Sequence, residues 1–203
     1  MKTPCPPLIL ASTSVYRREL LLKLGLPFTW QAPAFDEDAA KTSGLSPIAL
    51  AESLALGKAL SLDSGTAVII GGDQLVALGN KILGKPKTFE KAVAQLQSMS
   101  GREHLLVTAM CVAHAGKARV WSNLTRLHMR KLSDLQIRNY VTADEPFDCA
   151  GSYKIEKNAL SLFEKIETTD FSGIQGIPLL ELSQVLIEFG YSVPGEKYEK
   201  EIC

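Results

Sequence analysis

The sequence predicts a mixed α/β protein, a twisted sheet with helices packed around it. Three observations carry this reading. Short apolar runs alternate with longer amphipathic segments through the first hundred residues, the pattern of strands interleaved with helices. Two long apolar stretches then meet at Ala115-Gly116-Lys117, which marks an antiparallel hairpin. The composition, 46% hydrophobic and 22% charged, is that of a globular chain with enough apolar residues for a core.

The elements follow in order. Leu8 to Ala11 is short and apolar and reads as a buried strand. Ser12, Thr13 and Ser14 are good N-cap types, so a helix is expected to start near Ser14. On that helix Arg17, Leu20, Leu21 and Leu24 share one face. An arginine on an inward face, beside unpaired helix N–H groups, is placed to hold an anion; the ordinary alternative is a solvated surface arginine. The site is not a P-loop, because GxxxxGK(S/T) is absent from the sequence. Leu26 to Phe35 is strand-like but interrupted by prolines, and the acids at 36–38 open a polar loop. Residues 46–62 read as a helix, with Ser46 as N-cap and Pro47 in the first turn. Residues 66–73 read as a buried strand ending in Gly71, Gly72 and Asp73. Residues 88–101 form a helix with a glycine stop. After the hairpin, Ser133 caps a further helix, and residues 176–190 form the last one, with Pro178 in its first turn. The whole chain, 1–203, reads as a single domain, with 195–203 a flexible charged tail.

Charge and cysteine usage narrow the function. The net charge is zero, so nothing favours nucleic acid or an acidic membrane as partner. A small anionic ligand needs only a local basic cluster. No run approaches a membrane span, and the prolines at 4, 6 and 7 interrupt any signal-peptide helix. Cys5, Cys111, Cys149 and Cys203 are far apart and form no CxxC pair, which argues against zinc or a disulfide framework and for a reducing cytoplasm. Cys111 and Cys149 sit among apolar residues and are expected in the core. His104, His114 and His128 lack metal-ligand spacing. His104 is expected to be a structural hydrogen-bonder. Covalent catalysis has no support, since there is no GxSxG and no cysteine motif.

The residues left to carry chemistry are acids and cations. Asp73 ends an apolar strand, where open α/β sheets place ligand groups. Gly71 and Gly72 would let the backbone turn and a ligand approach. The plain alternative is a turn aspartate. Lys58 lies in an apolar helix, and Lys85 lies in a tight LGKPK turn. With Arg17, Asp36 and Glu37 they make a set of cations for phosphates and carboxylates for a divalent metal or a water.

Seven motifs, LILASTSVYRRELL, FDED, ALGKA, IIGGDQ, LGKP, SGREHLLVTA and DCAGSYKIE, occur in the order found in the Maf family of nucleoside triphosphate pyrophosphatases. The chain resembles that family from about Leu8 to Tyr191. The resemblance implies a Maf or ITPase-like α/β fold with two lobes around a cleft, a homodimer in many members, and a divalent metal, Mg or Mn. It implies hydrolysis of a nucleotide to its monophosphate and pyrophosphate. Asp73 matches the family's proton acceptor, and Ser12, Arg17, Glu37, Lys58 and Lys85 match its polar cleft residues. On this reading Ser12, Arg17, Lys58 and Lys85 are expected to bind the substrate, and Glu37 and Asp73 to help hold the metal.

Three positions in the family track the base, and they fall here at Tyr16, Gln74 and Glu156. The branch acting on dTTP and UTP tends to have arginine, threonine and glutamine; the branch acting on 7-methyl-GTP has tryptophan, glutamine and glutamate. This chain resembles the second. The charges agree, because 7-methylguanine is cationic: an aromatic face stacks on it and a carboxylate accepts from its N1–H and amino groups. Two departures stand out. Tyr16 offers less stacking area than tryptophan. Lys157 follows Glu156 where the family usually has glycine, and a positive φ there would suit lysine poorly. The expectation is therefore a 7-methyl-GTP pyrophosphatase that removes modified nucleotides, against a dTTP/UTP pyrophosphatase or a nucleotide-binding regulator of cell division.

Overall fold

The computed structural model describes residues 5–37 and 44–195. Five helices and seven strands frame the described chain: β1 Leu8–Ala11, α1 Val15–Leu22, β2 Thr29–Gln31, α2 Pro47–Leu60, β3 Val68–Leu78, β4 Lys81–Leu83, α3 Phe89–Met99, β5 Glu103–His114, β6 Lys117–Met129, α4 Asp134–Asp144, β7 Phe163–Glu167 and α5 Leu179–Glu188. The strand order is β2-β1-β3-β5-β6-β7, with β4 added to β3. The sheet is mixed, as the sequence predicts: β1 runs parallel to β2 and β3, while β4 and β7 pair antiparallel to β3 and β6. The hairpin turn falls at Ala115 and Gly116, both at positive φ (49° and 77°), the conformation a two-residue turn requires.

The chain divides into two compact units. The first comprises residues 1–73, 108–122 and 170–203; the second comprises 74–107 and 123–169. Passage between them occurs inside β3, β5 and β6 and again after β7.

In the first unit the core joins Leu8, Leu10, Val68 and Ile70 of the parallel strands to Leu20 and Leu21 of α1 and Leu182, Val185 and Leu186 of α5. The leucine face read from α1 is therefore the buried one. Helix α2 starts as expected, with Ser46 accepting from the Ala49 N–H and Pro47 at its first position. It buries Leu50, Ala51, Leu54, Ala55, Lys58 and Ala59. Its small residues lie against Gly71, where an added Cβ would stand 2.3 Å from the Ala55 carbonyl oxygen and 2.7 Å from Ala59 N.

That contact corrects one expectation. Gly71 and Gly72 do not end the strand, since β3 continues through them to Leu78. Glycine at 71 serves the close approach of α2, not a turn. The strand-like stretch 26–35 yields only three strand residues, Thr29–Gln31. Pro178 stands just ahead of α5 as its N-cap residue instead of within its first turn. Gly195, where the tail was expected to begin, donates its N–H to the Leu24 carbonyl at 2.9 Å; residues 196–203 lie outside the described chain.

In the second unit α4 begins with the full capping box of Ser133 and Gln136, and Thr88 caps α3. His104, Tyr153 and Phe163 form a buried aromatic cluster with ring centroids 5.3–5.9 Å apart. His104 is not the hydrogen-bonder expected from the sequence: neither ring nitrogen has a partner among the described residues. Burial, aided by the charge of His128, pulls its pKa down to about 4. Cys111 is buried as expected, but Cys149 is only half-buried. Among the described residues, no helix is long and apolar enough to cross a membrane.

Candidate active site

The site grows from the end of β1. Register with β3 pairs Ala11 with Gly71, so β1 stops there while β3 runs on. Asp73 thus clears the carboxyl end of its parallel neighbour, the position at which open α/β sheets present ligand groups. The reasoning that singled out Asp73 holds for the end of β1, although β3 itself does not end.

Past Ala11 the chain turns into α1 through a relay of hydroxyls. The buried Ser12 accepts from the Ser14 N–H at 3.1 Å, and Ser14 accepts from the Arg17 N–H at 3.4 Å as N-cap. Arg17 then projects from the first turn, half-buried, as its place on the leucine face predicts. Its Nε donates to the Gly176 carbonyl at 3.1 Å. Its terminal Nη groups make no hydrogen bond to the described residues. Burial lowers the Arg17 pKa, while the negative charges of Asp73 and Glu37 pull the other way.

Lys58 completes the cluster. It leaves α2 with only 8% of its surface exposed, and its Nζ meets Asp73 Oδ1 at 2.6 Å and Glu37 Oε1 at 2.9 Å. A buried ammonium is tolerated because two carboxylates satisfy it. Arg17, Glu37, Lys58 and Asp73, drawn from four separate segments, thus form one set of two cations and two anions.

The other sequence-predicted residues are divided between the two units. Tyr16 is 40% exposed on α1 in the first unit. Gln74, Lys85 and Glu156 belong to the second unit. Lys85 is exposed and lines a pocket of about 440 Å³ with Lys81, Lys87, Lys91 and Gln95. Glu156 is exposed on a well-anchored loop. On that loop Ser152 donates to Gln95 Oε1 at 2.6 Å, the Lys154 N–H donates to the Tyr140 hydroxyl at 2.9 Å, and Asn158 donates its N–H to Asp144 at 3.0 Å. Lys157 has φ −116°, so no positive φ is demanded there and lysine fits where a glycine was expected.

Two features escaped the sequence reading. Gly176 holds Arg17, and Asp170 is 2% exposed and accepts from Ser172, Leu180 and Glu181. The signal for Asp170 was present, since Asp-Phe-Ser is an Asx-type capping pattern. Nothing local announces Gly176. No cluster of three or more His, Cys, Asp or Glu side chains placed to ligate a metal occurs among the described residues.

Residues 7–189 match the family model described as Maf-like protein. The chain belongs to the Maf family. All seven motifs of the resemblance fall within that span. Curated relatives match this Maf chain over most of its length. A 7-methyl-GTP pyrophosphatase of Bdellovibrio bacteriovorus is 51% identical over 183 residues, covering 90% of this chain and 97% of the relative. The protein of the same name from Pseudomonas putida is 41% identical, covering 93% and 99%. That from Thiobacillus denitrificans is 39% identical, covering 95% and 97%.

Proposed function

We propose that this Maf protein hydrolyses 7-methyl-GTP to 7-methyl-GMP and pyrophosphate. The observation that carries the reading is the four-residue charged cluster around Asp73. It supplies a carboxylate for a water and, in Arg17, a cationic fork with open donors for phosphate. A relative 51% identical, covered over 97% of its length, is named for that substrate. In this reading Asp73 orients the water that attacks the α-phosphorus and takes its proton. The bond from the α-phosphorus to the bridging oxygen breaks, and pyrophosphate leaves with the electron pair. Arg17 and Lys58 offset the charge that gathers on the leaving group, Lys85 adds to it, and the Ser12 turn receives the phosphates.

Mg or Mn fits the donors present. Glu37 and Asp73 already converge on one cation, the Lys58 ammonium, and carboxylate oxygens suit a hard divalent ion that draws its other ligands from water and substrate phosphates. Glu37 and Asp73 would hold such an ion, and it would supply charge neutralisation on the phosphates.

Tyr16 and Glu156 supply the base chemistry argued from the sequence, an aromatic face and an exposed carboxylate for a cationic purine, with Gln74 beside Asp73 in β3. The free thiols of Cys5, Cys111 and Cys149 support a reducing, cytoplasmic setting.

The deciding experiment measures pyrophosphate release from 7-methyl-GTP, GTP, UTP and dTTP with Mg or Mn, for the wild type and Asp73→Asn. The expected result is preference for 7-methyl-GTP and loss of turnover by about 10²–10⁴-fold in the variant, the range of a lost general base. Preference for UTP or dTTP would overturn the base assignment. Nucleotide binding without turnover would replace the enzyme with a regulator.

A further inference from the structure

We propose that the corner Asp170–Gly176 is a positioning device for Arg17, with Gly176 and Asp170 as positioning residues for phosphate binding; this rests on the reading of Arg17 as a phosphate ligand. The corner is built around one carbonyl. Gly176 has φ +121° and ψ −5°, a conformation open in practice to glycine alone. In it the carbonyl accepts from Arg17 Nε at 3.1 Å. That is the only hydrogen bond the Arg17 side chain makes among the described residues. It ties down the inner nitrogen of the guanidinium and leaves the outer fork, the part that grips phosphate oxygens two at a time, open.

The rest of the corner keeps that carbonyl in place. The buried Asp170 carboxylate accepts from Ser172 N at 3.1 Å and Ser172 Oγ at 2.6 Å on one side. On the other it accepts from Leu180 N at 2.6 Å and Glu181 N at 3.3 Å. The Ser172 hydroxyl oxygen accepts in turn from Leu179 N at 2.7 Å. Thr108 of β5 donates its hydroxyl to the Gly173 carbonyl at 2.8 Å. The single-turn helix over Phe171–Gln175 is thereby fastened at its start, in its middle and to the start of α5. A long arginine side chain has many rotamers to lose on binding. A carbonyl fixed in this way removes most of that loss before the phosphate arrives, as preorganisation does generally.

The test is a double-mutant cycle on Gly176→Ala and Arg17→Ala, read by calorimetric binding of inorganic pyrophosphate and by KM and kcat for 7-methyl-GTP. An alanine Cβ at 176 would lie 3.4 Å from Arg17 Cγ and 3.6 Å from its Nε. There is room for it, but the backbone conformation is strained for alanine. Gly176→Ala is expected to weaken pyrophosphate binding about tenfold, the scale of one charge-assisted hydrogen bond. In the Arg17→Ala background the same change is expected to alter binding by less than about twofold, because coupled residues are non-additive. Equal weakening in both backgrounds would make the corner merely structural, and no weakening in the wild-type background would overturn the proposal outright. Should Gly176→Ala fail to fold, Thr108→Val, which loosens the same corner with an isosteric side chain, takes its place in the cycle with the same two criteria. The pyrophosphate readout decides the corner even if no nucleotide is hydrolysed, an outcome that would sink the proposed function separately.

Discussion

Lys58 Nζ lies 2.6 Å from Asp73 Oδ1 and 2.9 Å from Glu37 Oε1, so a single ammonium holds two carboxylates together. Two acids at that spacing repel one another once the cation between them is gone. Lys58→Met is therefore expected to destabilise the protein, by roughly 1–3 kcal/mol once the partial exposure of Glu37 is allowed for. Adding Glu37→Gln to that variant is expected to return part of the loss. Urea unfolding midpoints of the two variants and the wild type check both statements; a double variant no more stable than Lys58→Met would rule out repulsion as the cause.

The two adjacent glycines of β3 are expected to respond differently to alanine. At Gly71 the new Cβ would meet backbone, the Ala55 carbonyl oxygen at 2.3 Å and Ala59 N at 2.7 Å, and α2 would have to move. At Gly72 it would meet the end of the Met110 side chain, Sδ at 3.0 Å, which can change rotamer. Gly71→Ala should cost about 3 kcal/mol or more and Gly72→Ala less than about 1.5 kcal/mol. Because α2 also carries Lys58, Gly71→Ala should lose pyrophosphatase activity more steeply than stability. Equal unfolding midpoints for the two variants would refute the packing argument.

How far the sequence reached follows from the range of each contact. The α1 stripe was legible because helical period alone puts Arg17 beside Leu20 and Leu21, and both leucines are buried. The caps at Ser14, Ser46 and Ser133 were legible because each acts within three residues. Asp73 was singled out by a strand-end rule applied to the wrong strand: the glycines before it looked like a turn, and only the packing of α2 on Gly71 shows why they are there. The hold of Gly176 on Arg17 spans 159 residues, and no local pattern encodes a carbonyl's direction at that distance. His104 was misread for a related reason. A histidine opening a strand usually finds a partner, and the two rings that enclose it instead, Tyr153 and Phe163, come from later in the chain.

That enclosure makes stability depend on pH. The His104 pKa is held near 4 in the fold, by burial first and by the charge of His128 second, against the ordinary histidine value of 6.5. The native state therefore binds fewer protons than the unfolded chain between those values. Stability from this group is fully present above about pH 6.5, falls as the pH drops below it, and levels off below about pH 4, for a total near 3 kcal/mol. His104→Phe removes the titrating group and both unpartnered ring nitrogens, so it should flatten this part of the profile and raise stability at pH 5. Unfolding free energies from pH 4 to 7 for the two proteins are the check; parallel profiles would show that His104 does not carry the slope.

The last expectation concerns the base. If Glu156 accepts from the donor edge of a cationic purine, Glu156→Gln keeps the shape but loses the charge and puts a donor amide where the base also donates. The kcat/KM for 7-methyl-GTP should then fall about 10–100-fold, the weight of one or two charge-assisted hydrogen bonds, while any slow turnover of UTP is unchanged or rises. Tyr16→Arg sets a cation against the methylated ring and should discriminate in the same direction, whereas Tyr16→Trp enlarges the stacking face and should lower KM for 7-methyl-GTP by a few-fold. The three variants separate charge from stacking. A uniform loss on all nucleotides would place Tyr16 and Glu156 in the general support of the fold. A loss confined to 7-methyl-GTP would make them the residues that read it.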